Sequence, residues 1–431
     1  MRSLARCFDE LLAYCQSIPL VDCHDHTLEC GPKHTDALTM LIYGYFSHDM
    51  HAASSDSDMK LIEDTSLPLE QRWFVFERAW KRTCHTGYAQ VTRRLLKHFY
   101  GVESLSLAAV QAIQERLLDD TSEERFEKIL SEANIAVRIE DCWPDPKKVL
   151  DGSLRLAPRS RLAISLPDYH NIRCYEDVQK RAAPLGRVVT SLDEYLETCR
   201  EIFAGFKRYG AVCFKDQSAY ERSLRFTNPS RAQAEEVFNG FMEDPRRSAA
   251  YPDGIRPLDD YLFHCFLRMA RDLDLPVQIH TGHMAGVRNE ITKTNAILLT
   301  SVLELHREVR FDLFHANWPY AGELLFLAKN YPNVSIDFCW TNIVDPIYCQ
   351  GMFQQAVSSV PHGKIHGYGS DYGGAPEFAW AHAQIARENI AIALANLVEI
   401  EYLGLEEAKE VAYGWLFGNA NAFFRLGLES N

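Results

Sequence analysis

At 431 residues, 47% hydrophobic and 24% charged, the chain carries enough apolar material for a large core without covalent staples. A formal net charge of -14 with no basic run argues against a nucleic-acid partner, because a phosphate-binding surface needs a positive footprint. Twelve cysteines without a CxxC pair read as reduced thiols, and no stretch has the apolar length of a membrane span, so a cytoplasmic protein is expected.

The amino terminus, Met1 to Ser17, sets Leu4, Phe8, Leu11 and Leu12 among Asp9 and Glu10, the pattern of an amphipathic helix rather than a signal peptide. The first strand, Leu20–Cys23, runs directly into His24-Asp25-His26. Side chains on a strand alternate faces, so the two histidines point the same way and can hold one metal ion. From about Gly31 to Ser131 the pattern is helical only, with helices predicted over Gln71–Lys81, Tyr88–Tyr100, Ser106–Asp119 and Ser122–Leu130. This reads as an insertion serving as a lid, an oligomer interface or passive packing.

Seven further strands follow, alternating with helical stretches: Ala136–Glu140, Leu162–Leu166, Ala211–Lys215, Val277–His280, Phe311–His315, Val334–Phe338 and Lys364–Gly369. A second excursion, Asn228 to Pro257, lies after the fourth strand. Alternation of this kind implies parallel strands with crossover helices, and eight strands close a (β/α)8 TIM barrel. The whole chain, 1–431, reads as a single domain of that class with a large helical insertion after strand 1. Gly367, Gly369 and Gly373 miss the GxGxxG spacing and follow the last strand, so nucleotide binding is rejected.

Barrel enzymes build their sites at the carboxyl ends of the strands. His24 and His26 end strand one, Lys215 strand four, His280 strand five and His315 strand six, while Asp371 follows strand eight. Imidazoles with one carboxylate suit Zn²⁺ first, and also Mn²⁺, Fe²⁺ or Ni²⁺. Lys215 could bridge two metals if carboxylated, pair with a substrate carboxylate, or form a salt bridge to Asp216. On the same loops Tyr220, Arg222, His283, Arg288 and Trp318 are candidate substrate-binding residues, since arginines grip carboxylates and aromatics floor pockets. Asp22 or Asp25 is the expected partner that fixes a ligand histidine's tautomer.

These residues resemble the amidohydrolase superfamily of metal-dependent barrel enzymes. Gln278-Ile-His-Thr-Gly-His283, Leu313-Phe-His-Ala-Asn-Trp-Pro-Tyr320 and Gly367-Tyr-Gly-Ser-Asp371 look particularly like its amidohydrolase-related branch of predicted metal-dependent hydrolases, which also includes decarboxylases. The insertion after strand one is similar to that of the uronate isomerases in the same superfamily. The resemblance runs from Pro19 to Leu428 and includes Asn419-Ala420-Asn421. It implies that His24, His26 and Asp371 ligate a divalent metal, with His280 a ligand or close to one. In two-metal members Lys215, His280 and His315 would fill the second site; in one-metal members His315 would act as an acid or base beside Asp371.

The expected activity is hydrolysis of an amide, ester or lactone-like bond in a small anionic metabolite, the charge resting on Arg222, Arg288 and Lys215. Sugar-acid isomerisation and decarboxylation are the enzymatic alternatives, and a catalytically silent metal-binding barrel is the non-enzymatic one. The implied partner is a small-molecule substrate, with neither nucleic acid nor membrane; a homo-oligomer is an open alternative that the sequence does not fix.

Overall fold

The computed structural model describes residues 4–26, 34–117 and 122–429. Met1, Gly31 and Asp119, which bound three of the predicted segments, lie outside those residues. Eight parallel strands follow one another around the sheet in chain order: β1 Leu20–Asp25, β2 Ile135–Glu140, β3 Ser160–Ser165, β4 Cys213–Asp216, β5 Val277–Ile279, β6 Phe311–Leu313, β7 Val334–Asp337 and β8 Ile365–His366. All eight predicted strands are present, most of them shorter at their carboxyl ends than the apolar runs suggested, because the chain leaves the ladder as soon as it enters the loops of the rim.

The seam between the last strand and the first is tied just beyond β8. Cys23 donates its amide to the Tyr368 carbonyl at 3.2 Å, Asp371 to the His24 carbonyl at 2.9 Å, and His26 to the Tyr372 carbonyl at 3.0 Å. Those three bonds set Asp371 beside the two histidines of β1. Inside the barrel the filling is partly polar: Asp312 accepts from His366 Nδ1 at 2.9 Å, and Gln278 reaches across to the Cys23 carbonyl at 2.9 Å. Burial, and then the neighbouring Asp312, push the Asp337 carboxyl well above the usual carboxylate range.

Among its described residues the insertion holds three helices beyond the four expected, Ala37–Ile42, Phe46–Ala53 and Asp56–Glu63, all too short for a clear helical period. Its own apolar cluster, including Met40, Phe46, Phe76, Trp80 and Leu95, is continuous with Phe314, Cys339, Trp340 and Tyr372 from the rim of β6 to β8. The insertion therefore roofs the carboxyl face. Buried Arg72 fixes its first turn through two bonds to Asp36, at 2.6 and 2.8 Å.

One contact in this roof is unusually close. Gly87 opens the helix Gly87–Leu95 against the segment after β7, where an added Cβ would sit 2.1 Å from the Ile343 carbonyl oxygen and 2.8 Å from Pro346 Cδ. Gly87→Ala is expected to cost about 1–3 kcal/mol by overpacking, read as a lowered thermal midpoint. A midpoint equal to wild type would show that the two segments separate freely.

Candidate active site

Strand ends converge as the alternation rule requires. Nε2 of His24 and Nε2 of His26 lie 3.1 Å apart, and Asp371 Oδ1 stands 3.5 and 3.3 Å from them. On the other side of the rim, His315 Nε2 is 3.0 Å from His280 Nδ1 and 3.7 Å from Asp371 Oδ2. Lys215 stands beside the first group, with Nζ 3.5 Å from His24 Nε2 and 4.0 Å above the Phe314 ring. All but His26 are buried. His315 and Asp371 hold positive φ values of 59° and 54°, as does Trp340 at 64°, conformations disfavoured for side-chain-bearing residues and concentrated here at the rim.

Hydrogen bonds to main-chain carbonyls decide where three of the four imidazoles, His26, His280 and His315, carry a proton. A carbonyl can only accept, so the ring nitrogen facing it must be the protonated one. His26 Nδ1 donates to the Asp141 carbonyl at 2.6 Å, His280 Nε2 to that of His283 at 2.7 Å, and His315 Nδ1 to that of Cys339 at 2.9 Å. The other nitrogens, His26 Nε2, His280 Nδ1 and His315 Nε2, all face the shared centre; those of His280 and His315 are bare, and that of His26 faces Asp371 at 3.3 Å. Two bare imidazole nitrogens 3.0 Å apart repel unless a cation lies between them. Nitrogens about 2.0–2.1 Å from one tetrahedral ion stand roughly 3.3 Å apart, close to the separations here. The donor set thus fits a divalent metal.

Electrostatics agree with that fit. Burial, aided by the Lys215 ammonium, holds His24 and His280 well below the ordinary histidine pKa, and burial with neighbouring His280 does the same for His315. Burial opposes protonation of His26 too, but Asp371 outweighs it and lifts that ring to about 9. For Asp371, burial is outweighed by the histidines and Lys215, which keep its carboxyl below the usual range. In the absence of an ion the centre presents neutral His24, His280 and His315, an ionised Asp371, and on His26 a second proton, at Nε2 facing Asp371, that is displaced as an ion binds.

The expected tautomer partners are not the ones observed. Asp22 holds the backbone amides of Ser370 at 2.8 Å and His24 at 3.3 Å, while Asp25 pairs with Arg138 at 2.6 Å. Among the described residues neither makes a hydrogen bond to a ligand ring; backbone carbonyls do that work for His26, His280 and His315, while His24 Nδ1 has no partner there. The Lys215–Asp216 salt bridge is likewise not formed, since neighbours on a strand face opposite ways. Asp216 instead takes His170 Nε2 at 2.8 Å, in a buried network where His170 Nδ1 also meets Asp259.

That network makes a pH prediction. Burial alone would lower the His170 pKa, but Asp259 and Asp216 raise it to about 9. Against an unfolded value of about 6.5, the imidazolium contributes stability that is full below pH 6.5 and lost as pH climbs through 9. The loss is on the order of 3 kcal/mol. Urea unfolding at pH 6 and pH 9.5 should show it in wild type and not in His170→Gln; equal losses in both would rule out His170 as the source.

A cavity of about 840 Å³ opens over the centre, lined by His24, His26, Lys215, His280 and Asp371 below and by Tyr43, Tyr45, His48, Trp143, Tyr220, Tyr251 and Tyr372 above. Tyr220 is on this wall as expected, its hydroxyl accepting from the Ala285 amide at 3.1 Å. Three other candidates stand elsewhere. Arg222 is fully buried against Asp259 and Asp260, Arg288 is three-quarters exposed and pairs with Asp56 at 3.0 Å, and Trp318 packs its ring 5.2 Å from His283. His283 is turned to the Tyr88 hydroxyl at 3.2 Å and serves the site through its carbonyl. None of these four lines the cavity, so the arginine grip expected for an anion is not formed. The lining cations other than histidines are Lys215 and Arg181, the latter paired with Asp168 at 3.0 Å.

Several wall residues had no sequence signal. Tyr45, whose hydroxyl donates to the Asp371 carbonyl, comes from one of the short unpredicted helices and its preceding turn. Trp143 stacks on His26 with centroids 5.5 Å apart and planes 8° from parallel. Asp141 directly follows β2, where a search of strand ends for carboxylates as well as histidines would have found it.

Comparisons with known proteins agree with this geometry. A model of the amidohydrolase family matches residues 171–426. Protein fluG of Emericella nidulans is 24% identical over 226 residues, 50% of this chain, and the match spans 26% of that protein. Among solved structures, uronate isomerase from Thermotoga maritima is 14% identical, covering 97% of both chains at a TM-score of 0.77. Glucuronate isomerase from Caulobacter crescentus is 18% identical, covering 100% of this chain and 96% of that one at 0.75. A protein described as a metal-dependent hydrolase, from Lactobacillus casei, is 16% identical, covering 97% and 98% at 0.65. At these identities the structural likeness speaks for the fold, the eight-stranded TIM barrel, and the match over more than half of the sequence supplies the rest: the chain belongs to the amidohydrolase family of enzymes.

Proposed function

We propose that the protein is a metal-dependent hydrolase that cleaves an amide, ester or lactone-like bond in a small metabolite, with Zn²⁺ held by His24, His26 and Asp371. The observation that carries this reading is the convergence of His24, His26 and Asp371 within 3.1–3.5 Å of one another, beside His280 and His315, with His26, His280 and His315 turned to the centre by carbonyls that take their other N–H. A divalent ion there supplies a water ionised near neutral pH and a polarised substrate carbonyl. Asp371, kept ionised by its neighbours, accepts the proton of the attacking water and hands it to the leaving atom. His315 Nε2, 3.7 Å from Asp371 Oδ2, offers a second acceptor on the same side. His280 is a ligand or orients the substrate carbonyl. Lys215 either meets the substrate as an ammonium or, if carboxylated, joins a second ion to the first; intact mass under mild conditions distinguishes them by one added CO₂.

The tyrosine-rich wall favours a substrate with a flat or ring-shaped body and at most one anionic group, since Lys215 is the one lining lysine or arginine among the described residues without a carboxylate partner. Sugar-acid isomerisation is the second reading, favoured by the full-length likeness, insertion included, to the isomerases of Thermotoga and Caulobacter. Turnover of small amides, esters and lactones in ¹⁸O-water by Zn²⁺-loaded protein should place one ¹⁸O in the product acid. Solvent deuterium entering carbon without ¹⁸O would mark an isomerase, and released CO₂ a decarboxylase. Wild-type protein that retains neither Zn²⁺ nor Mn²⁺ would end all three.

A further inference from the structure

We infer that Asp141 is a second carboxylate ligand of the metal centre, opposite Asp371, so that the first ion is held by two imidazoles and two carboxylates. This rests on the metal reading above and extends it to a residue outside the HxH, β5, β6 and β8 positions.

The placement comes from the topology. β1 lies between β2 and the segment after β8, so its two histidines have a neighbouring strand end on either hand. Asp371 occupies one and Asp141, the first residue past β2, the other. The Asp141 amide donates to the Asp25 carbonyl at 3.1 Å, and its own carbonyl takes His26 Nδ1 at 2.6 Å. These two bonds fix its backbone level with the HxH segment. A carboxylate oxygen of Asp141 and a ring nitrogen of each histidine then fall within 4.8 Å of one another, a spread that ligands of a single ion can have.

Among the described residues no hydrogen bond or ion pair claims the Asp141 carboxylate. Asp141 is 1% exposed, yet it lines the cavity, and its Oδ1 has no hydrogen-bond partner among the described residues. By contrast Glu140, one residue earlier, is tied to Arg138 and Ser160. A buried carboxylate oxygen without a donor is costly, and a cation is the partner its surroundings offer. Two carboxylates also change which ion fits. Added oxygen donors favour Mn²⁺ relative to a centre of imidazoles with one carboxylate, so Asp141 sets metal preference as well as affinity.

The experiment measures metal affinity, not turnover. Wild type and Asp141→Asn, both stripped of metal, are titrated with Mn²⁺ and with Zn²⁺ in competition with a chromophoric chelator. The variant keeps the carbonyl that orients His26 and loses only the charge. We expect Mn²⁺ affinity to fall by about 10- to 100-fold or more, and Zn²⁺ affinity by less. Affinities within twofold of wild type for both ions would overturn the assignment, as would a variant that binds metal normally but shows a raised KM. Should the variant not fold, a crystal structure of Mn²⁺-loaded wild type decides: an Asp141 oxygen within about 2.3 Å of the ion supports the inference, and one beyond hydrogen-bond distance overturns it. Wild type that binds no metal defeats the metal reading itself, a different outcome from wild type that binds while the variant is unaltered.

Discussion

Asp371→Asn is expected to lower kcat by about 10²- to 10⁴-fold with a much smaller change in KM, the usual loss when a positioned proton acceptor is removed. The substitution keeps the shape of the side chain and the backbone bond from Asp371 to the His24 carbonyl. It removes the charge that His26, His315 and Lys215 keep on the carboxylate, and with it both a metal ligand and the path for the water's proton. Metal analysis separates the two contributions: a variant that loads stoichiometrically at raised metal concentration yet stays slow has lost the proton path. Because Asp371 and His315 act together, the double variant with His315→Asn should be little slower than either single one. Activity within tenfold of wild type in loaded Asp371→Asn would remove Asp371 from the mechanism.

Arg222→Leu is the second large effect, on stability. Its guanidinium lies between Asp259 and Asp260 with no exposed side-chain surface, and it stacks 4.1 Å over Phe226. Removing it leaves two buried carboxylates facing a hydrocarbon, of which only Asp259 keeps a charged partner, His170. Breaking one side of such a network costs about 3–5 kcal/mol. The denaturant midpoint should fall with little change in slope. KM of the protein that remains folded should match wild type, because Arg222 is not on the cavity wall. A raised KM with unchanged stability would return Arg222 to the substrate.

The contrast between Arg222 and Asp371 shows what the sequence could and could not tell. Strand ends were legible because a short apolar run followed by a polar break is a local pattern, and the face of each strand-end residue follows from alternation. His24, His26, His280, His315 and Asp371 needed nothing more to be placed on one rim. Loop residues had no such rule. Arg222 sits seven residues past Lys215, and only the packing of the helix Arg256–Asp272 against the loop decides that Asp259 and Asp260, rather than a substrate, meet it. Arg288 was drawn to Asp56 on a helix too short to recognise. The Asp216 partner was a nearer miss: applied to both neighbours, the alternation that puts Lys215 in the cavity turns Asp216 away from it. Tyr43 and Tyr45 of the wall came from the insertion, where helical character was visible but its seating on the rim depended on contacts hundreds of residues apart, such as Tyr45 with Asp371.

Fixing ligand tautomers through peptide carbonyls rather than side chains has a consequence for how the protein tolerates change. The acceptors belong to Asp141, His283 and Cys339, and any amino acid at those positions brings the same oxygen. At His283 and Cys339, mutational drift can alter size, polarity or reactivity while leaving imidazole orientation intact; at Asp141 it would keep the orientation and change the carboxylate. Histidine orientation is instead vulnerable to displacement of a loop: shifting the turn after β2, β5 or β7 by even half an ångström would detune a ring whose orientation no single replacement at the acceptor could reach.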